Sequence, residues 1–169
     1  LFTDYLVKRY FPVRPILGDV MFFLIPRIDF LQYVADGVTT LGFLLALLVF
    51  SERKIERLST FVLAIGIMYF TRALLNLVTP LGDPSGEIVP YGFLERVPLA
   101  GMFPSGHIAA LTAEYWLVRQ WQNGKKFEYL YVLFIALASI ALWSTRGHYT
   151  IDIVGGIVLG YFAVQLAKK

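Results

Sequence analysis

Long apolar runs constrain this chain more than any other feature. Residues from about 30 to 50, 58 to 78, 104 to 121, 127 to 143 and 150 to 167 each form a run that a soluble domain would have no core large enough to bury. The whole chain is 57% hydrophobic and 16% aromatic over 169 residues. Such a composition reads as an integral membrane protein. The expected fold is therefore all-α: one membrane-embedded helical bundle of five spans, residues 30–169, preceded by an interfacial segment, residues 1–29. That segment mixes Lys8, Arg9, Arg14 and Arg27 with aromatics and is broken by Pro12, Pro15 and Pro26. It reads as an amphipathic helix lying in the interface, or alternatively as a kinked span buried in protein.

Charge placement sets an expected orientation. Arg53, Lys54 and Arg57 lie in one turn, Lys125 and Lys126 in another, and Lys168 and Lys169 close the chain. With alternating spans these three places share one side, which the positive-inside rule makes cytoplasmic. The four basic residues of the N-terminal segment then fall on the other side, and an additional span before Leu1 would account for them. The net charge of +3 is explained by topology and does not point to nucleic acid. With no Cys, disulfides and thiolate metal sites are excluded, and two His are too few for a structural metal cluster. No cofactor is expected.

The chemical residues gather on the side opposite the basic turns, facing the periplasm, the cell exterior or a lumen. Ser144 to Asp152 reads Ser-Thr-Arg-Gly-His-Tyr-Thr-Ile-Asp. Asp152 follows His148 by four residues at the head of a helix, so carboxylate and imidazole can share one face. Such a carboxylate fixes the tautomer, orients the ring and strengthens its other nitrogen as a nucleophile. Arg146, two residues before, offers a flat cationic fork suited to phosphate. Pro104-Ser105-Gly106-His107 opens another helix. Ser105 is a favoured N-cap, Gly106 allows close approach to the backbone, and the first amides point at an anion. His107 in the first turn can protonate a leaving oxygen. Arg72 and Asn76 sit in the last turns of the second span, an expensive place unless they face a watery cavity. Against these stand plainer readings: a polar loop snorkelling to the interface, and a capped helix with an interfacial His.

Taken together, one imidazole attacks phosphorus, the other protonates the leaving alkoxide, and guanidinium groups and helix amides hold the phosphoryl oxygens. Glu114 lies seven residues after His107 on the same helix face; it either tunes His107 or binds a headgroup, or pairs inside the bundle. Asp36, in the first span, reads only as a carboxylate near the interface. Asp83, Glu87, Glu95 and Arg96 read as a solvated loop, with gating of a pocket or headgroup selection as the alternative.

Phe103-Pro-Ser-Gly-His107 together with Ser144 to Asp152 resembles the second and third signature motifs of the type 2 phosphatidic acid phosphatase superfamily. Met68-Tyr-Phe-Thr-Arg72, Asn76-Leu-Val-Thr-Pro80 and Pro15-Ile-Leu-Gly-Asp19 are similar to its sphingomyelin synthase and inositol phosphorylceramide synthase-like branch. The resemblance implies a metal-independent enzyme with His148 as nucleophile through a phosphohistidine, Asp152 orienting it, and His107 as general acid and then base. It implies phosphate binding by Arg72, Ser105, Gly106 and Arg146. The expected activity is hydrolysis of a phosphoester of a membrane lipid. The alternative is transfer of a phospholipid headgroup to ceramide or diacylglycerol; the alternative of another class is a non-enzymatic lipid-binding or transport protein.

Overall fold

The computed structural model describes residues 2–51, 55–85, 102–120 and 125–168. Its described residues form helices, short 3-10 turns and connecting segments. They run α1 (Phe2–Tyr10), α2 (Met21–Leu24), α3 (Gln32–Ser51), α4 (Ile55–Val78), α5 (Gly106–Arg119), α6 (Glu128–Ser144) and α7 (Thr150–Ala167). Glu87, Glu95, Arg96, Arg53, Lys54 and Lys169 lie outside the described residues.

Among the described residues, four helices are long and apolar enough to cross a membrane: Asp29–Val49, Arg57–Val78, Lys125–Ser144 and Thr150–Ala167. Their outer faces carry Leu44, Leu48, Val62, Phe70, Val132, Ile140, Val154 and Phe162, all exposed. A surface this apolar fits lipid and not water. The expectation of five spans is corrected by α5. Its 14 residues reach about 21 Å, well short of a hydrocarbon core of about 30 Å. The apolar residues of α5 face protein: Ile108, Leu111, Ala113, Leu117 and Val118 are buried, and α5 packs against α3, α4, α6 and α7. Hydropathy registers that a residue is apolar but not which surface it meets.

The tightest packing joins α5 to α7. A Cβ on Gly156 would stand 2.9 Å from the Ser105 carbonyl oxygen, and one on Gly160 would overlap the Ala109 carbonyl. Only hydrogen at these positions lets the two backbones approach. Both helices start at the same end of the bundle, where the Ser105 amide donates to the Asp152 carbonyl at 3.0 Å. The chain therefore passes this end at the start of α3, the end of α4, the start of α5, the end of α6 and the start of α7.

The N-terminal segment is also corrected. It is not one interfacial helix but two short ones, α1 and α2, separated by an extended stretch containing Pro12 and Pro15. Proline removes amide donors and fixes φ, so the helix cannot continue there. α1 packs on α4, with Val7 buried. Residues 15–28 then form a strap across the same end of the bundle. Gly82 N–H donates to the Pro15 carbonyl, Leu17 N–H to the Tyr149 hydroxyl, Ser144 Oγ to the Pro26 carbonyl, and Ile28 N–H to the Ser144 carbonyl.

Candidate active site

The same end of the bundle holds a pocket open to the outside. Gln32, Ala35 and Asp36 of α3, His107 of α5, Leu142 of α6, Thr145, Gly147, His148, Asp83 and Ser85 line it. The two histidine rings lie 6.5 Å apart between centroids, nearly edge to face.

His148 is buried, and its Nδ1 lies 3.2 Å from Asp152 Oδ2. The same Asp152 oxygen accepts the Tyr149 amide at 2.9 Å. The carboxylate thus caps the start of α7 while holding the imidazole one turn earlier. Burial pushes the His148 pKa below its ordinary value. The hydrogen bond and charge of Asp152 oppose that, whereas the positive charges of His107 and Arg72 add to it. The net result is an imidazole that remains unprotonated below the usual histidine range, as a nucleophile requires.

His107 has its own carboxylate: its Nε2 lies 2.8 Å from Asp36 Oδ1, 71 residues away in the chain. Both side chains are about one-third exposed, so this pair meets solvent while the His148–Asp152 pair does not. The bond ties α5 to α3 at the pocket.

Arg72 reaches the start of α5, where its Nε donates to the Pro104 carbonyl at 2.9 Å. A Cβ on Gly106 would stand 3.3 Å from that Nε, so the glycine makes room for the guanidinium. Ser105 is fully buried at the N-cap, yet its hydroxyl makes no capping bond. Among the described residues, Ser105 Oγ, Asn76 Oδ1 and both Glu114 carboxylate oxygens have no hydrogen-bond partner. Asn76 is buried near the end of α4. Glu114 is buried deeper, against Gly42 of α3 and away from the pocket lining.

Arg146 is placed differently from the other cations. Its φ is 60°, and it is not on the pocket lining. Its guanidinium donates to the carbonyls of Trp143 (2.8 Å), Phe22 (2.5 Å) and Ile25 (3.0 Å), and lies over the Phe22 ring at 4.8 Å. It fastens the strap. Asp19, which sequence reasoning passed over, does similar work: its carboxylate accepts the Thr150 amide (2.5 Å), the Thr150 hydroxyl (2.8 Å) and the Met21 amide (2.9 Å). Burial pushes the Asp19 pKa up, but these donors outweigh it and the net shift is downward.

The structure thus brings Asp36, His107 and His148 to one pocket, with Asp152 behind His148; Arg72, Ser105 and Gly106 meet at the start of α5, and neither they nor Arg146, Glu114 and Asn76 are on the lining. No curated protein and no solved structure matches the chain. A family model does match, over residues 24–169, and it is not that of the type 2 phosphatidic acid phosphatases. This overturns the superfamily assignment, which rested on short motifs around two histidines, whereas the matching model takes in all four long helices, the pocket and most of the chain. By that match the chain belongs to the AtPDCT1/2 family.

Proposed function

We propose that the protein transfers a phosphocholine headgroup from phosphatidylcholine to diacylglycerol, with His148 as the nucleophile. The family's designation denotes phosphatidylcholine:diacylglycerol cholinephosphotransferases, which favours headgroup transfer over the hydrolysis first expected. The observation that carries the mechanism is a buried, carboxylate-backed imidazole sharing a pocket with a second, more exposed one.

The free ring nitrogen of His148 attacks phosphorus. A nitrogen–phosphorus bond forms, the phosphorus–oxygen bond to diacylglycerol breaks, and His107 supplies the proton to the departing alkoxide. The second half runs the same steps backwards. An incoming diacylglycerol hydroxyl gives its proton to His107, its oxygen attacks phosphorus, and His148 leaves. Asp36 holds the His107 ring in place through both proton transfers. Asp152 steadies the positive charge on His148 when phosphorus is attached. Arg72 and the first amides of α5, beside the pocket, offset negative charge on the phosphoryl oxygens. Arg57, Lys125, Lys126 and Lys168 lie at the opposite helix ends, so the positive-inside rule turns the pocket away from the cytoplasm.

The test uses purified protein in detergent or vesicles, with phosphatidylcholine labelled in its headgroup and a diacylglycerol of different chain length. The expected product is labelled phosphatidylcholine carrying the acceptor's chains, with the label on His148 after a single half-reaction and no turnover in His148→Ala. Label appearing only as water-soluble phosphocholine, or full activity in His148→Ala, would overturn the proposal.

A further inference from the structure

The strap, residues 15–28, has two unlike faces. One is bonded to the bundle. Leu17 N–H donates to the Tyr149 hydroxyl, and Asp19 accepts the Thr150 amide and hydroxyl. The Phe22 and Ile25 carbonyls accept from Arg146, and Pro26 and Ile28 bond to Ser144. The Phe22 ring lies 5.8 Å from that of Tyr149, with the Arg146 guanidinium over it. These contacts all fall on residues 144–150, the stretch that carries His148.

The other face is apolar and bare. Ile16, Val20, Phe23 and Leu24 are 61–88% exposed. Phe22 and Phe23, adjacent in sequence, therefore serve different surfaces: the first packs on the stretch with His148, and the second meets almost no protein. Apolar side chains gathered in this way mark a contact with something other than water.

The height of the strap in the bundle decides what covers it. Two of the long apolar helices end at Ser144 and begin at Thr150, the residues to which the strap is bonded. The apolar exterior of the bundle reaches the same level: Ile140, one turn before Ser144, and Ile151, directly after Thr150, are both exposed. An apolar side chain projecting at this height meets the boundary between lipid headgroups and acyl chains, where segments bind in proportion to the apolar area they bury.

We propose that the strap docks on the bilayer: Ile16, Val20, Phe23 and Leu24 seat in the leaflet on the pocket's side, and that seat braces the stretch carrying His148 through Arg146, Tyr149 and Thr150. Docking follows from the fold, whereas its effect on turnover rests on the transferase reading above. Phe23 and its neighbours are positioning residues, since they act on His148 only through the strap.

The chain has no Cys, so Leu24→Cys can carry a single fluorescent label in phosphatidylcholine vesicles. Phosphatidylcholine with a spin label near the headgroup end of its acyl chain should quench that label at least threefold more than iodide in the water does. Stronger quenching by iodide overturns docking, and so does protection from both quenchers, the result expected if protein covers the strap. In the same vesicles Phe23→Asp should cut kcat for headgroup transfer at least tenfold, while Phe23→Leu stays within twofold of wild type. A strap standing in water would tolerate the aspartate, because the ring it replaces is 88% exposed. Unchanged kcat in Phe23→Asp therefore overturns the bracing role, as does an equal loss in Phe23→Leu. A wild type that transfers no headgroup defeats the transferase reading, and the quenching still decides whether the strap docks.

Discussion

Replacing Asp152 with Asn separates what this carboxylate does for the fold from what it does for chemistry. Asp152 is fully buried, and one of its oxygens accepts from both the Tyr149 amide and His148 Nδ1. Its other oxygen has no partner among the described residues. An asparagine in the same rotamer can place its carbonyl oxygen at the shared position and its amide group at the other. Cap and ring orientation are then both retained, so the stability change should stay within about 1 kcal/mol, the scale of a helix cap. What is lost is the charge. A hydrogen bond to an ion contributes about 1.5–3 kcal/mol against about 0.5–1.5 for a neutral one, so the weakest expected effect on rate is roughly tenfold. If the amide also disturbs the imidazole tautomer, the loss can approach about 10⁴-fold, as for buried carboxylate–histidine pairs elsewhere.

The pH profile supplies a second, independent sign. Asp152 raises the His148 pKa against the depressing effects of burial and of the neighbouring cations. Removing its charge must lower that pKa further, so the acid limb of kcat/KM against pH should move to lower pH while the plateau falls. The assay is transfer of labelled headgroup between phosphatidylcholine and diacylglycerol across a pH series, with a thermal scan of the same preparation. A folded Asp152→Asn protein turning over within threefold of wild type, or an acid limb that moves upward, refutes the reasoning.

Arg72→Gln should shift that limb the opposite way. The Arg72 charge depresses the His148 pKa, so its removal raises the pH at which the free imidazole forms, and loss of the cation should slow transfer tenfold or more, read from the same pH series. Arg146→Ala should cost about 1.5–3 kcal/mol of stability, since a charged donor leaves three carbonyls, while turnover per folded molecule changes less than tenfold. Collapse of turnover at unchanged melting temperature would instead return Arg146 to the phosphate.

Part of this site could be read from sequence because it is local. His148 and Asp152 are one helical turn apart, and Pro104 to His107 is a helix start by composition alone, so short-range rules suffice. Asp36 could not be read that way. Its partner is 71 residues distant, and only the packing of α3 on α5 brings them together. The available signal was energetic: a carboxylate inside an apolar run is expensive without a partner. The same signal marked Asp19, whose bonds to Thr150 span 131 residues. Arg146 is close to His148 in sequence, but its guanidinium is engaged by the Trp143 carbonyl and by the strap. Arg146 itself is left-handed, with a φ of 60°, and its side chain runs to the Phe22 and Ile25 carbonyls.

The short central helix explains why the chemistry concentrates where it does. α5 and α7 run parallel from the same end, joined through Gly156 and Gly160, so the positive ends of two helix dipoles stand side by side. Neighbouring helices more often alternate in direction, and here each carries its own imidazole at or just before its first turn. Like partial charges at that end repel, and so do Arg72 and Arg146 nearby. The fold answers with carboxylates: Asp19 on the start of α7 and Asp36 on His107, both from distant segments, and Asp152 on His148 from one turn away. Each is committed to a donor at short range, which keeps it from opposing a phosphate directly while lowering the charge the bundle must hold when empty. A parallel pair of helices is thus the structural cost of placing two histidines at one depth, and the scattered aspartates follow from it.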